Sequence, residues 1–315
     1  MQKLLVLTLF LLSIQAKNYA QSNLDKPIAN KDSIQILKAV PDTSEEDEAS
    51  SYFTLELGLG NRIFDVPNAG LTAKTSPLNT LVWSPSIVYH HKSGLYFSVG
   101  NSLLKDNTKK IIISFYSMAV GYELPDNENI DMSVAYTHYF VNDYFSPYAP
   151  PVQNDFWGSL TYKKTWIKPG MSLGYSAGHY GDVKRVLHLY DSVTSNIKSF
   201  SLGFSASHEF KWPKIFGKED ALSFSPSLML NTFKGNIAYH HNTNSNLANF
   251  LNNKGRLPKF DDTKFQVESM GCDLNAGYEL GKFSLEPEVY MDYYLQASDG
   301  KRLSTFLTLN IKYSL

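Results

Sequence analysis

The sequence predicts an all-β chain of about twelve antiparallel strands, with ten or fourteen as the alternatives. Three observations carry this. From Ser51 to Leu315, apolar and polar residues alternate with a period of two, in segments of about ten residues. Turn-forming Gly, Pro, Asn and Asp separate the segments. A helical period competes only in "NLANFLNN", inside a long connection at 234–264.

The first fifty residues differ from the rest. Lys3 and the apolar run Leu4 to Ile14, followed by Ala20, predict a signal peptide over 1–20, too short to span a bilayer as a helix. Residues 21–50 hold seven acids against three lysines and no aromatic, which predicts a disordered acidic tail. Residues 51–315 form the strand-rich domain. The single cysteine, Cys272, rules out an internal disulfide, and a formal net charge of −1 leaves no basic face for nucleic acid.

The first segment, 52–63, contains "FTLELGLG", with Phe53, Leu55, Leu57 and Leu59 on one face and Thr54, Glu56, Gly58 and Gly60 on the other. Segments 79–90 and 95–104 flank the short turn "HKSG", and 110–123 and 130–141 flank "PDNEN". Segments 154–166 and 171–181 flank "KPG", and 198–211 and 221–233 flank "FGKED". Segments 265–280 and 283–296 flank "GK", and 302–315 ends the chain. The other connections are mostly longer: 64–78, 142–153, 182–197 and 234–264. Pro85, Pro226 and Pro287 lie mid-segment on the apolar face, each between two polar residues, and predict bulges or strong bends.

The two faces decide the environment. A soluble fold carries Lys and Glu on its outside. Here the polar face is Ser, Gly, Thr and Asn with sparse charge, and the apolar face runs in long Leu, Val, Phe and Tyr stripes. Aromatics gather near segment ends, as at Trp83, Trp157, Trp166, Trp212, Tyr122, Tyr162 and Tyr313. These are the marks of a lipid-facing band, aromatic girdles and a polar lumen, so the predicted fold is an antiparallel transmembrane barrel. With its signal peptide, even strand count and short turns alternating with longer loops, the chain resembles the outer-membrane β-barrel proteins of Gram-negative bacteria over 51–315. It departs from them in ending on Leu315, with Tyr313 two residues before, rather than on an aromatic. The resemblance implies a bacterial outer-membrane location, with both chain ends in the periplasm and the long loops outside.

"LEPEVYMDYYLQ", Leu285 to Gln296, concentrates three acids on one strand face: Glu286, Glu288 and Asp292. A two-residue turn at Gly281-Lys282 pairs Leu280 with Phe283 and Tyr278 with Leu285, which sets Asn275 opposite Glu288 and Asp273 opposite Tyr290. Matching Leu295 with Leu303 sets Lys312 opposite Glu286, Asn310 opposite Glu288 and Phe306 opposite Asp292. Asp273, Asn275, Glu286, Glu288, Asp292, Asn310 and Lys312 are therefore the expected lumen lining. Glu286 has a candidate partner in Lys312, whereas no basic residue stands opposite Asp273, Glu288 or Asp292 on these strands. Lys163, Lys211 or Arg62 reaching across would instead neutralise the acids and close the lumen.

The leading function is a narrow, weakly cation-preferring channel for small cationic or neutral solutes. The alternative is a structural or interaction protein that binds an extracellular partner through 234–264, which holds seven asparagines and His240-His241. A third, disfavoured reading is a lipid-modifying barrel enzyme, since the enzyme motifs lack their context. "GYSAG", Gly174 to Gly178, sits inside an alternating strand rather than at a strand-to-helix elbow. The single H-x-S, His91-Lys92-Ser93, falls in a turn, and His138, His179 and His208 have no serine two residues away. "YHH" at Tyr89 to His91 and at Tyr239 to His241 points adjacent histidines to opposite faces, so no metal or other cofactor is expected.

Overall fold

The computed structural model describes residues 50–61, 80–106, 108–143, 148–186, 189–217, 219–243, 261–295 and 302–315. The expected signal peptide, nearly all of the acidic tail, the connection at 64–78 and "NLANFLNN" lie outside these residues. Among the described residues there is no helix. The strands are β1 (Tyr52–Gly60), β2 (Val82–His90), β3 (Leu95–Lys105), β4 (Ile111–Glu123), β5 (Ile130–Phe140), β6 (Asn154–Tyr162) and β7 (Lys168–Val186). They continue as β8 (Leu189–Ser207), β9 (Phe210–Pro213), β10 (Asp220–Thr243), β11 (Asp261–Leu280), β12 (Phe283–Tyr294) and β13 (Leu303–Ser314).

Strands pair antiparallel with their neighbours in sequence except at β9, where β8 pairs with β10, and β13 pairs with β1 to close the sheet. The four-residue β9 pairs only with β10, in the register that β8 already holds on the same side. β8 and β9 are thus one interrupted strand, and the barrel has twelve. Closure gives each of the twelve strands a neighbour on both sides; β9 and the loop-end extensions of β7 and β11 are paired on one side only.

Burial follows the alternation. Along β12, Ser284, Tyr290, Asp292 and Tyr294 are buried inside, while Phe283, Pro287 and Tyr293 are exposed outside. Opposite them on β13, Phe306 is 1% exposed and Leu307, one residue on, is 53% exposed. A strand rises about 3.3 Å per residue, so at a tilt near 40° the ten-residue step from Phe283 to Tyr293 spans about 25 Å, the height of a lipid-facing band.

Successive outward rows show where that band ends on the loop side. Val134, Gly158, Leu173, Leu202 and Thr232 form one register row across β5 to β10. The next row is Tyr136, Phe156, Tyr175, Phe200 and Lys234. The third is His138, Asn154, Ala177, Lys198 and the register position of Asn236. Aliphatic thus gives way to aromatic and then to polar within four residues of chain. Trp157, expected among the girdle aromatics, departs from them: it takes the inward register between Ala135 and Gly174.

The prolines do not make bulges. Pro85 pairs with Leu57, but the β2–β3 ladder skips from Trp83 to Ser86 at unchanged register. Pro226 pairs with Leu274, and the gap lies on the side of β8 and β9. Pro287 pairs with Leu309, and the β11–β12 ladder skips from Glu288 to Leu285. In an antiparallel sheet a residue's N–H and C=O face the same neighbour, so a missing N–H opens the ladder on one side only.

Irregularities of register fall elsewhere. Between β3 and β4, Ser102 pairs with Phe115 and Leu103 with Ile113, leaving Ser114 as an extra residue. That extra residue moves the outward face of β4 from Ile111 and Ile113 to Tyr116, Met118 and Val120. Further shifts lie between β10 and β11, after Asn231 and after Phe233.

Two expected loops are largely strand. β7 and β8 stay paired out to Val186 and Leu189, across most of 182–197. β10 runs on to Thr243 and β11 begins at Asp261, inside the expected 234–264 loop. Beyond the lipid band nothing requires an apolar face, so the alternation fades while the hydrogen-bond ladder continues.

Candidate functional site

The barrel's inner wall is assembled from the inward half of every strand, and its two ends differ. At the loop end the segment 148–153 folds inward. Val152 is fully buried against Phe115 and Tyr139, whose rings meet edge-on at 5.3 Å. Gln153 extends β6: Tyr139 N–H donates to its carbonyl, and its own N–H donates to Ala177. Its side chain donates to the carbonyls of Pro150 and His179 and accepts from the His179 N–H. This approach needs Gly178, where an added Cβ would lie 2.6 Å from both the Gln153 nitrogen and the Val152 Cα. Next to it, Ser176 is fully buried and donates to Asp155. The two glycines of "GYSAG" and its serine are therefore wall residues, and Ser176 is closed to any substrate.

The turn end is charged. Lys163 Nζ sits 2.8 Å from Asp131, Lys168 Nζ 3.0 Å from Glu209, Lys211 Nζ 3.1 Å from Glu209, and Lys312 Nζ 2.8 Å from Glu286. Lys163 and Lys211 thus serve local carboxylates rather than reaching across to β12, and Arg62 lies outside the described residues. Glu56 accepts from the Ser86 hydroxyl at 3.0 Å. Glu123 and Glu279 are exposed at the inward ends of β4 and β11, with no hydrogen bond or ion pair among the described residues.

All seven expected lining residues lie on the inward faces of β11, β12 and β13. The Gly281-Lys282 hairpin has the expected register, including Asn275 opposite Glu288 and Asp273 opposite Tyr290. The β12–β13 register is two residues away from expectation. Glu286 pairs with Asn310, Glu288 with Thr308 and Asp292 with Ser304, while Tyr290 stacks on Phe306 at 6.3 Å. A two-residue shift keeps every side chain on its face, so alternation alone does not distinguish the two registers. The Glu286–Lys312 contact forms nonetheless, as a diagonal.

The seven residues do not make one site. Glu286 joins Lys312 and Ser284, which donates to it at 2.9 Å, near the turn-end mouth. Asp292 is fully buried toward the loop end, in register between Gly271 and Ser304, and on the same face the Asn231 amide donates to the Tyr290 hydroxyl at 3.2 Å. Sequence alone places Glu56 on the polar face of β1 but does not single out Glu123 and Glu279, although each occupies a polar-parity position near a strand end.

His91 and His138 make local contacts. His91 Nδ1 lies 2.9 Å from the Ser93 hydroxyl and also accepts from the Ser93 N–H, which ties the β2–β3 turn together. His138 contacts Asn154 at 2.9 Å on the outward face. Among the described residues no group of three metal-ligating side chains occurs.

No family model matches the chain, and no curated protein matches it. Among solved structures it is similar to LpxR from Salmonella typhimurium, with a TM-score of 0.41 and 6% identity over 82% of this chain and 99% of that one. It is also similar to the NanC porin, with a TM-score of 0.39 and 9% identity over 84% and 98% of the two chains. A bacterial polysaccharide outer membrane secretin gives a TM-score of 0.35 and 10% identity over 86% and 100%. These are outer-membrane β-barrel proteins, the class that the strand pattern resembles.

Proposed function

We propose that the protein is an outer-membrane barrel forming a narrow, weakly cation-preferring channel for small solutes. The observation that carries this reading is the charge balance at the turn-end mouth. Lys163, Lys168, Lys211 and Lys312 are each held within hydrogen-bonding reach of a carboxylate, while Lys92, Lys164, Lys214 and Lys282 lie exposed in the turns themselves. Glu123 and Glu279 are exposed, with no such partner among the described residues. Low-dielectric walls focus the field of these acids, enriching cations and repelling anions. The inward-folded segment at 148–153 narrows the opposite end, so conductance should be small.

The test is the reversal potential of the reconstituted barrel across a potassium chloride gradient. Wild type should show cation preference, and Glu123→Gln with Glu279→Gln should reduce it, most clearly at low salt where screening is weak. Anion preference, or no conductance at all, would overturn the reading. A second reading, a binding surface for an extracellular partner, is favoured by the paired extensions of β7 with β8 and of β10 with β11 beyond the aromatic row. A lipid hydrolase is not supported, since Ser176 is buried and His91–Ser93 closes a turn.

A further inference from the structure

The outward rows at the loop end carry a basic cluster that the channel reading does not use. His179 pairs with Asn196, Lys198 with Ala177, and Lys234 with Phe200. His179 and Lys198 are therefore diagonal neighbours, and so are Lys198 and Lys234, each about 7–8 Å apart by sheet geometry. All three are exposed on the outside of adjacent strands. Tyr175 and Phe200, where the lipid band ends, share the row of Lys234 and lie beneath Lys198 and His179. Neither lysine makes an ion pair among the described residues. A lysine beside apolar surface lays its stem along that surface and lifts its ammonium toward the headgroup layer.

We propose that His179, Lys198 and Lys234 form an exterior site for the phosphorylated headgroup of a lipid in the leaflet at the loop end. The inference rests on the reading that the apolar band lies in a membrane. Two ammonium groups on one diagonal can share a phosphate from two sides, with the exposed imidazole beside them. The acyl chains of such a lipid would run down the outward face over Tyr175, Leu173 and Leu202. Charge complementarity selects the occupant, because a zwitterionic headgroup brings its own cation to the same place.

The test uses the full chain in detergent, offered equal amounts of phosphatidic acid and phosphatidylcholine, with bound lipid read by native mass spectrometry. Wild type should retain phosphatidic acid with about twenty-five-fold preference, since each of the two lysines near an anionic headgroup contributes roughly a fivefold effect. Lys198→Gln with Lys234→Gln should bring the two lipids to parity, and Lys198→Arg with Lys234→Arg should keep the preference. Millimolar inorganic phosphate should leave the bound lipid in place; complete displacement would identify a free-anion site and overturn the proposal. Undiminished preference in the glutamine variant, or none in wild type, would overturn it as well. Flotation with phosphatidylcholine vesicles separates the two readings: a barrel that floats yet shows no lipid preference sinks this inference alone, and one that does not float sinks the membrane reading on which it rests.

Discussion

Lys312 Nζ lies 2.8 Å from Glu286 although the two are not register partners, since Lys312 stands opposite Ser284 and Glu286 opposite Asn310. Both side chains are about four-fifths buried at the mouth, with side-chain exposures of 22% and 21%. The contact is thus between the poorly solvated interior of the wall and its wetter end.

That placement makes the pair worth more than an exposed ion pair. Lys312→Met alone should destabilise the barrel more than Lys312→Met with Glu286→Gln, because it strands a carboxylate. The coupling from a double-mutant cycle should be about 1–2 kcal/mol, above the ceiling of about 1 kcal/mol for surface pairs. Urea unfolding from micelles measures it, and additive effects would show that the contact contributes nothing.

Leu307 and Thr308 are adjacent on β13 and face opposite ways. Leu307→Arg places a charge near the middle of the lipid band and should cost about 2–4 kcal/mol. Thr308→Arg points into the wall between Glu288 and Gly60 and should cost less. Equal losses in the same unfolding experiment would mean that the faces are wrongly assigned.

Gly178 admits the 152–153 segment to the lumen. Gly178→Val should displace Val152 and Gln153 while leaving the ladder of β7 in place, since valine favours strands. The expected readout is a larger single-channel conductance from a barrel whose mobility on gels still shifts on heating. Unchanged conductance would show that the segment does not narrow the path.

Asp106 organises the turn between β3 and β4. The Thr108 hydroxyl donates to it at 2.7 Å, and the Thr108 and Lys110 amides donate at 2.8 and 2.9 Å. These bonds, the Thr108 side chain first, hold its carboxyl below the ordinary carboxylate range. A depressed carboxyl contributes stability above its unfolded value, near 3.9, and loses it as pH falls through the lower folded value. The turn should therefore stay ordered at pH 4 and loosen only below it. In Thr108→Val the carboxyl should titrate at higher pH by carbon-13 NMR; an unchanged titration would contradict the assignment.

The strand count, the inward face of β12 and the Gly281-Lys282 hairpin were legible because alternation and a two-residue turn each specify parity or register directly. The β12–β13 register was not, because the connection after Leu295 sets it, and the two-residue alternatives bury the same side chains. The prolines were misjudged for a similar reason: sequence shows the lost N–H but not which neighbour it faces. Ser114 was missed although the apolar parity of β4 changes across it. Of the site, the acids of β12 stood out by clustering, whereas Glu123 and Glu279 are isolated near strand ends and acquire meaning only when closure brings their strands to one mouth.

The odd-numbered face of each terminal strand meets lipid and the even-numbered face meets the lumen. A cysteine scan of β13 from Leu303 to Lys312, on a Cys272→Ser background in vesicles, tests it most directly. Cysteines at 303, 305, 307, 309 and 311 should resist a water-soluble thiol reagent and, once labelled in detergent, be quenched by a nitroxide on the lipid chains. Cysteines at 304, 308, 310 and 312 should escape that quencher. Quenching that does not alternate with a period of two would contradict the barrel as a membrane-spanning wall.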